Sequence, residues 1–125
     1  MVAGRDAANL AAVDRYDPRR QSWQELPPVR TPRGGIASVR LRDGRIVVFG
    51  GEQLTPGGKT IGAVELFDPR TRRWRALPDM RTPRHGLGGV AFGRRVYAIQ
   101  GGPSPGLFFS PAIEFLDVPR RGQSP

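Results

Sequence analysis

The chain contains no cysteine among its 125 residues. Disulfide bonds, thiolate-bound metals and a cysteine nucleophile are therefore excluded within it. Histidine occurs once, as His85, so a metal site of three histidines is excluded, and Ser and Asp residues stand in no recognisable nucleophile setting around it. We predict no catalytic residue, no metal and no cofactor.

Long hydrophobic runs are also missing. No apolar stretch approaches the roughly 18 residues that a membrane span needs. Near the start, Arg5, Asp6 and Asp14 interrupt every apolar segment, so the apolar core of a secretory signal is not present there. We expect no membrane partner. We favour a cytoplasmic location, because a chain without cysteine suits a reducing compartment, although composition does not fix it.

Lysine is nearly absent: 19 of the 20 basic residues are arginine, Lys59 is the exception, and the formal net charge is +9. A basic chain can bind nucleic acid or an anionic surface. Here the arginines are scattered, with no run longer than two. Arginine, glycine, alanine and proline have GC-rich codons, so coding bias accounts for much of the charge. We do not expect nucleic acid as a partner.

A repeat of about fifty residues is present instead. Residues 13–35 align with residues 64–86 at an offset of 51, which superposes an Asp-Pro pair, a tryptophan, a Leu-Pro pair and an Arg-Thr-Pro-Arg run. At the same offset, Gly50 and Gly51 fall on Gly101 and Gly102. Residues 112–118 form a third, partial copy. Internal repeats of this length are typical of solenoids and propellers.

Each full unit predicts four short strands. Residues 34–42 alternate and end at an Asp43-Gly44 hairpin turn, and the apolar run "RIVVF" fits a strand that is covered on both faces. "AVELFDP" alternates and closes on an Asp-Pro turn, whose Asp side chain is expected to bond the backbone ahead. "RRWRALP" is the fourth strand. Frequent glycine and proline disfavour helix, so the sequence predicts an all-β fold of four-stranded antiparallel blades.

The glycine pair after an apolar strand, "VELFDP", Trp74 and "LPDMRTPRHG" together resemble the kelch repeat. The resemblance covers about residues 3–118 and implies an incomplete kelch-type β-propeller of about two to two and a half blades. Its expected parts are a half blade (1–28), a complete blade (29–79), a blade lacking its outer strand (80–118) and a flexible tail (119–125). Such a chain cannot close a ring. We expect a fragment of a longer propeller, or a chain that assembles with other copies or another protein.

Two glycine-rich stretches are similar in composition to phosphate-binding loops, but neither meets the requirements of such a loop. "GGEQLTPGGKT" ends in Gly58-Lys59-Thr60, but Gln53 stands where a P-loop needs glycine, and a strand follows in place of a helix. "HGLGGVAFG" contains no G-x-G-x-x-G. We interpret the first stretch as a loop between blade strands and the second as an innermost strand, with His85 in the slot that Gly34 fills one copy earlier.

Charged residues recur between the copies. Arg33 and Arg84 precede the innermost strands, and acidic residues recur in the third strands at Asp14, Glu65 and Glu114. One interpretation is that they form ion pairs or bond the backbone between blade elements, since recurring charges in a half-buried sheet need partners. The other is that the arginines face the propeller axis and hold an anion. We favour the first.

Aromatic residues divide into two groups. Trp23 and Trp74 keep one position relative to the Asp-Pro turn, which predicts packing between blades. Phe108 and Phe109 lie in the loop "PSPGLFFSPA", outside the repeat, and suit a partner contact.

Two function classes follow from the resemblance. The first is a non-catalytic kelch-repeat protein-interaction module that binds a protein, its own copies or a glycan through the loops 52–62 and 103–111. The second is part of a kelch-type enzyme, epimerase-like or lyase-like, whose axial active site needs further blades. Our candidate binding face comprises Arg33, Arg84, His85, Glu52, Gln53, Lys59, Phe108 and Phe109.

Overall fold

The computed structural model describes residues 1–54 and 57–123, which form ten antiparallel strands in three sheets. Over those ranges it contains no helix, and hence no helix that could cross a membrane. The strands are β1 Val2–Arg5, β2 Asn9–Asp17, β3 Ser22–Leu26, β4 Ala37–Arg40, β5 Ile46–Phe49, β6 Val64–Asp68, β7 Arg73–Leu77, β8 Gly88–Phe92, β9 Arg95–Ile99 and β10 Ile113–Asp117.

The middle sheet is a complete blade with strand order β4-β5-β6-β7. Val47, Val48 and Phe49 of β5 are buried, as expected for a strand with a sheet on either side. The side chains of β4 alternate between buried and exposed, because successive residues of a strand point to opposite faces. The predicted four-stranded antiparallel blade is therefore confirmed.

Asp-Pro turns join the third and fourth strands. The carboxylate oxygen Oδ1 of Asp17 accepts hydrogen bonds from the N–H groups of Arg19 (2.9 Å) and Arg20 (3.3 Å). Asp68 Oδ1 accepts the equivalent bond from the Arg70 N–H at 3.0 Å. These bonds are the side-chain-to-backbone contacts that the sequence predicted for these turns.

The first sheet has three strands, β1-β2-β3, where the sequence predicted two. The additional strand, Val2–Arg5, pairs with β2 through Val2↔Val13 and Gly4↔Leu10, with a register shift between Val2 and Gly4. Its four residues contain no apolar run, so no periodic signal predicted this strand. The boundary of a half blade at residue 28 stays a prediction.

The last sheet has strand order β10-β9-β8 and no outer strand among the described residues. After β10 the chain crosses to the middle sheet: Arg45 Nη2 donates to the Pro119 carbonyl at 2.9 Å, and Arg121 forms an ion pair with Asp68. Burial raises the pKa of Asp68, but the hydrogen bonds from Arg121 and the Arg70 N–H outweigh it and lower the pKa overall. The expected flexible tail thus includes contacts over residues 119–123, and residues 124 and 125 lie outside the described ranges.

The main hydrophobic core lies between the middle and last sheets, and a smaller one lies between the first and middle sheets. Trp74 packs against the smaller core, and its Nε1–H donates to the Pro27 carbonyl of the preceding unit at 2.7 Å. Trp23 occupies the equivalent position in the first sheet and is 62% exposed. Packing between units is therefore observed for Trp74, while no described sheet covers Trp23.

The glycine pair repeats with an offset of 50, which corrects the predicted offset of 51. Positive φ occurs at Gly50 (68°) and Gly51 (109°), and again at Gln100 (55°) and Gly101 (94°). The reason lies in the hairpins: residues 41–45 separate the paired Arg40 and Ile46, whereas only residues 92–95 separate the equivalent Ala91 and Val96. Gln100 therefore occupies the place of Gly50.

Candidate binding face at the inter-strand loops

Arg33 is held inside the middle sheet. Its side chain is fully buried, and Nη2 donates to Glu65 Oε1 at 2.5 Å. Nη1 donates to the carbonyls of Gly50 (3.2 Å) and Ala63 (2.6 Å). The second carboxylate oxygen of Glu65 accepts the Arg30 N–H at 2.8 Å. The pair therefore joins the segment before β4 to the third strand of the same blade.

Arg84 repeats this arrangement in the last sheet. Its Nη2 donates to Glu114 Oε1 at 3.2 Å, and Nη1 donates to the carbonyls of Gln100 (2.5 Å) and Ala112 (2.6 Å). Glu114 in turn accepts the N–H groups of Arg81 and Thr82. The recurrence supports the interpretation that both arginines stabilise their blades.

Burial dominates the electrostatics of Arg33. Desolvation is the largest influence on its pKa and lowers it below the ordinary value, while the charge and hydrogen bond of Glu65 oppose that shift. An arginine remains protonated under these conditions, so the carboxylate balances a permanent buried charge. Arg33 and Arg84 thus lie beneath the candidate binding face, with no exposed guanidinium surface.

Glu52, Arg5 and His85 meet where the three sheets adjoin. Arg5 Nη2 donates to Glu52 Oε1 at 3.0 Å, and His85 Nδ1 lies 3.7 Å from the same oxygen. His85 Nε2 donates to the Ser104 carbonyl at 2.9 Å. Glu52 is buried, and its Oε2 has no hydrogen-bond partner among the described residues. The sequence predicted Glu52 and His85 as site residues and missed Arg5, which lies 47 positions from Glu52 and has no basic equivalent in the other copies, where Glu52 and Gly102 occupy its place.

The two predicted loops contact each other. Thr60 Oγ1 donates to the Pro103 carbonyl at 2.9 Å, which places the loops 52–62 and 103–111 side by side. Gln53 Nε2 donates to the Pro32 carbonyl at 3.3 Å, and Lys59 is exposed. Thr55 and Pro56, within the first loop, lie outside the described residues.

Phe108 and Phe109 are exposed, as the loop's position outside the repeat predicted. Phe109 is 89% exposed, and the neighbouring Leu107 is 91% exposed. Together these three residues form an apolar tip on the loop 103–111. Contiguous exposed apolar residues of this kind mark interaction sites more often than single ones do.

A second apolar surface lies on the last sheet. Val90, Phe92, Ile113 and Phe115 are exposed there, and we call this surface the open face. Their equivalents in the middle sheet are buried against the last sheet: Val39, Leu41, Val64 and Leu66. The open face therefore presents, without a cover, the residue pattern that forms the core between neighbouring sheets.

Metal ligands are not grouped on this face. Among residues 1–54 and 57–123, no set of three or more His, Asp and Glu side chains is arranged to hold a metal ion. The available chemistry is therefore that of buried ion pairs, backbone groups and exposed apolar side chains.

Comparison with known proteins identifies the repeat. The family model described as the kelch motif matches residues 37–81, which span the middle sheet. Kelch-like protein 34 from Homo sapiens is 36% identical over 92 residues, covering 74% of this chain and 14% of that protein. Kelch-like ECH-associated protein 1A from Danio rerio is 34% identical over 102 residues, covering 81% and 17%. Alpha-scruin from Limulus polyphemus is 30% identical over 133 aligned positions, covering 98% and 14%.

The chain spans 14% to 23% of the length of the curated relatives it matches. Those relatives carry kelch in their names in most cases, and the motif match coincides with the four-stranded blade. By its motif, its relatives and its sheets, this chain belongs to the kelch-repeat family.

Proposed function

We propose that the chain is a non-catalytic protein-interaction module, which forms part of a longer propeller or associates with other copies of itself. The observation that carries the proposal is the open face, whose exposed Val90, Phe92, Ile113 and Phe115 match buried residues of the middle sheet. Exposed apolar surface of this extent favours association, because burying it removes it from water.

The apolar tip at Leu107, Phe108 and Phe109 extends this surface on the loop side. Its residues lie in the variable loop 103–111, outside the repeat pattern that places the residues of the open face. Aromatic side chains at the centre of an interface contribute more binding energy than most contacts. We therefore place a protein partner there, in a cytoplasmic setting, in preference to a glycan or nucleic acid.

A catalytic role for His85 is not part of the proposal. One ring nitrogen bonds the Ser104 carbonyl and the other faces Glu52, so neither nitrogen is directed at a Ser or Thr hydroxyl. Activation of a serine or threonine nucleophile by a histidine needs such a contact.

We expect the Phe108→Ser/Phe109→Ser variant to lose partner capture and to reduce self-association while its melting temperature stays within a few degrees of the parent. The side chains are exposed, so their removal affects binding more than folding. Size-exclusion chromatography with light scattering and thermal melting measure the two effects.

The matched control is Leu54→Ser, an exposed aliphatic residue on the neighbouring loop. It should leave association unchanged. An unchanged assembly state together with unchanged partner capture in the double variant would contradict the role of the apolar tip.

A further inference from the structure

An open groove lies on the last sheet, between β8 and the loop 103–111. Its volume is about 760 Å³, and its lining includes His85, Gly86, Gly88, Gly101, Phe108 and Pro111. Glycine backbone forms much of the lining, so main-chain groups are accessible there. No described residue fills the groove.

The equivalent groove on the middle sheet is occupied. The segment 80–87, which we call the inter-unit segment, lies in it and makes three backbone hydrogen bonds. The Met80 N–H donates to the Gly62 carbonyl, the Gly51 N–H donates to the Arg84 carbonyl, and the Gly86 N–H donates to the Gly35 carbonyl, each at 2.8 Å. The segment also brings Leu87 against the Cα position of Gly50. The middle groove therefore recognises a donor, an acceptor and a second donor along one continuous stretch, which bends at residues 81–82 and at Gly86.

The same three groups recur in the open groove. Pro111 is equivalent to Gly62, Gly101 to Gly51, and Gly86 to Gly35, and all three residues line the groove. Within residues 1–54 and 57–123, the Pro111 carbonyl, the Gly101 N–H and the Gly86 carbonyl form no hydrogen bond. Backbone polar groups of this kind require a partner, from water or from another chain, when they are covered.

One position differs between the two grooves. A Cβ built on Gly50 would lie 2.6 Å from the Arg84 carbonyl oxygen and 2.7 Å from Leu87, whereas Gln100 carries a Cβ at the equivalent place. The first sheet shows that this contact tolerates a Cβ. Ala3 occupies the position equivalent to Gly50, and the Gly4 N–H still donates to the Arg33 carbonyl, at 3.1 Å. Gln100 should therefore weaken binding in the open groove without preventing it.

We propose that the open groove binds a segment of the chain's own repeat type, with the sequence pattern Met-Arg-Thr-Pro-Arg-x-Gly-Leu, presented by a further kelch unit. The occupied middle groove identifies this occupant, because it shows the same three backbone groups engaged by residues 80–87. In such a contact the main-chain hydrogen bonds give affinity and the side-chain pockets give specificity. The inference rests on the proposed interaction function and names one of its partners.

The test uses a fluorescein-labelled peptide with the sequence of residues 79–89, titrated with the full chain and followed by fluorescence anisotropy. We expect saturable binding. The peptide is cationic and the chain carries a net charge of +9, so the two repel each other and salt, which screens charges, should not weaken the binding. N-methylation at the peptide's Met80 or Gly86 position should weaken binding about three- to tenfold, the usual value of one hydrogen bond. N-methylation at the His85 position is the control, because the His85 N–H bonds Gly102 of its own unit and not the neighbouring groove.

A protein variant tests the same groove from the other side. Gln100→Gly should bind the peptide about three- to tenfold more tightly, because it removes the Cβ that crowds the leucine. Arg72→Gly is the matched control: Arg72 also has a positive φ, of 56°, but lies in the turn after β6. It relieves the same backbone strain and should leave peptide affinity unchanged.

The outcomes separate this inference from the proposed function. Absence of saturable binding, or an affinity unchanged by both N-methylation and Gln100→Gly, overturns the inference. If the Phe108→Ser/Phe109→Ser variant still loses association in that case, the interaction function stands without the groove. If the parent chain binds the peptide and the Phe108→Ser/Phe109→Ser variant associates as the parent does, the proposed groove binding is supported and the role of the apolar tip is contradicted.

Discussion

Replacement of Glu65 by methionine is expected to lower the free energy of unfolding by about 3–5 kcal/mol, the usual cost of removing one partner from a buried ion pair. Methionine keeps most of the side-chain volume, so the loss reports on charge and hydrogen bonding rather than on a cavity. Arg33 would remain buried without its carboxylate, and the Arg30 N–H would lose its acceptor. Urea denaturation followed by circular dichroism measures the change.

Two further variants make this result specific. Arg33→Met/Glu65→Met should be more stable than Glu65→Met alone, because it removes the uncompensated charge together with its partner. Asp117→Asn breaks the ion pair with Arg95, in which the Asp117 and Arg95 side chains are 55% and 42% exposed, and should change stability little. A Glu65→Met variant as stable as the parent would show that the recurring arginine and acidic residues do not hold the blades together.

Gly50→Ala is expected to lower the free energy of unfolding by about 2–5 kcal/mol. About 1–2 kcal/mol comes from the positive φ of 68°, which alanine adopts poorly. A further 1–3 kcal/mol, approximately, comes from overpacking, because the new Cβ would meet the Arg84 carbonyl and Leu87 of the last sheet. The substitution therefore tests the contact between neighbouring units.

Gly93→Ala provides the comparison for this prediction. Gly93 has a nearly identical φ of 61°, and a Cβ built there meets no atom within 4 Å. It should show the backbone strain alone, so the difference between the two variants measures the crowding between sheets. Equal losses in the two alanine variants would mean that the middle and last sheets are not packed as described.

The sequence predicted the blade because its signals are local and repeated. The Asp-Pro turns, the apolar run of β5 and the tryptophan position each specify a short piece of backbone, and the repeat specifies their order. The pairing of Arg33 with Glu65 and of Arg84 with Glu114 was also accessible, since an arginine before the innermost strand and an acidic residue in the third strand recur in both units, 32 and 30 residues apart.

Other features depend on contacts that do not repeat. β1 forms by pairing with β2, although its own residues show no strand periodicity. The one-residue difference between the two hairpins moved the glycine pair out of the predicted register. The contact of Arg5 with Glu52 and that of Arg121 with Asp68 join residues far apart in sequence, and sequence spacing alone does not reveal such contacts.

These features give the chain an asymmetric surface. The middle sheet is covered on both faces, whereas the last sheet presents the open face, the apolar tip and the open groove on one side. In the middle sheet, the equivalents of the open-face residues form a core with the next unit. On the last sheet the same pattern is exposed, so it is available as an interface. We therefore propose a further kelch unit, in the same protein or in another copy, as the partner of this surface.

Light scattering of the isolated chain over a range of concentrations tests whether the open face is an interface. We expect the average mass to rise above the 13.7 kDa of one chain as concentration increases. The Phe92→Ser/Ile113→Ser variant, which removes two exposed side chains of the open face, should return the mass to that of one chain. A folded parent chain with a mass of 13.7 kDa at every concentration would contradict the claim that the open face mediates association.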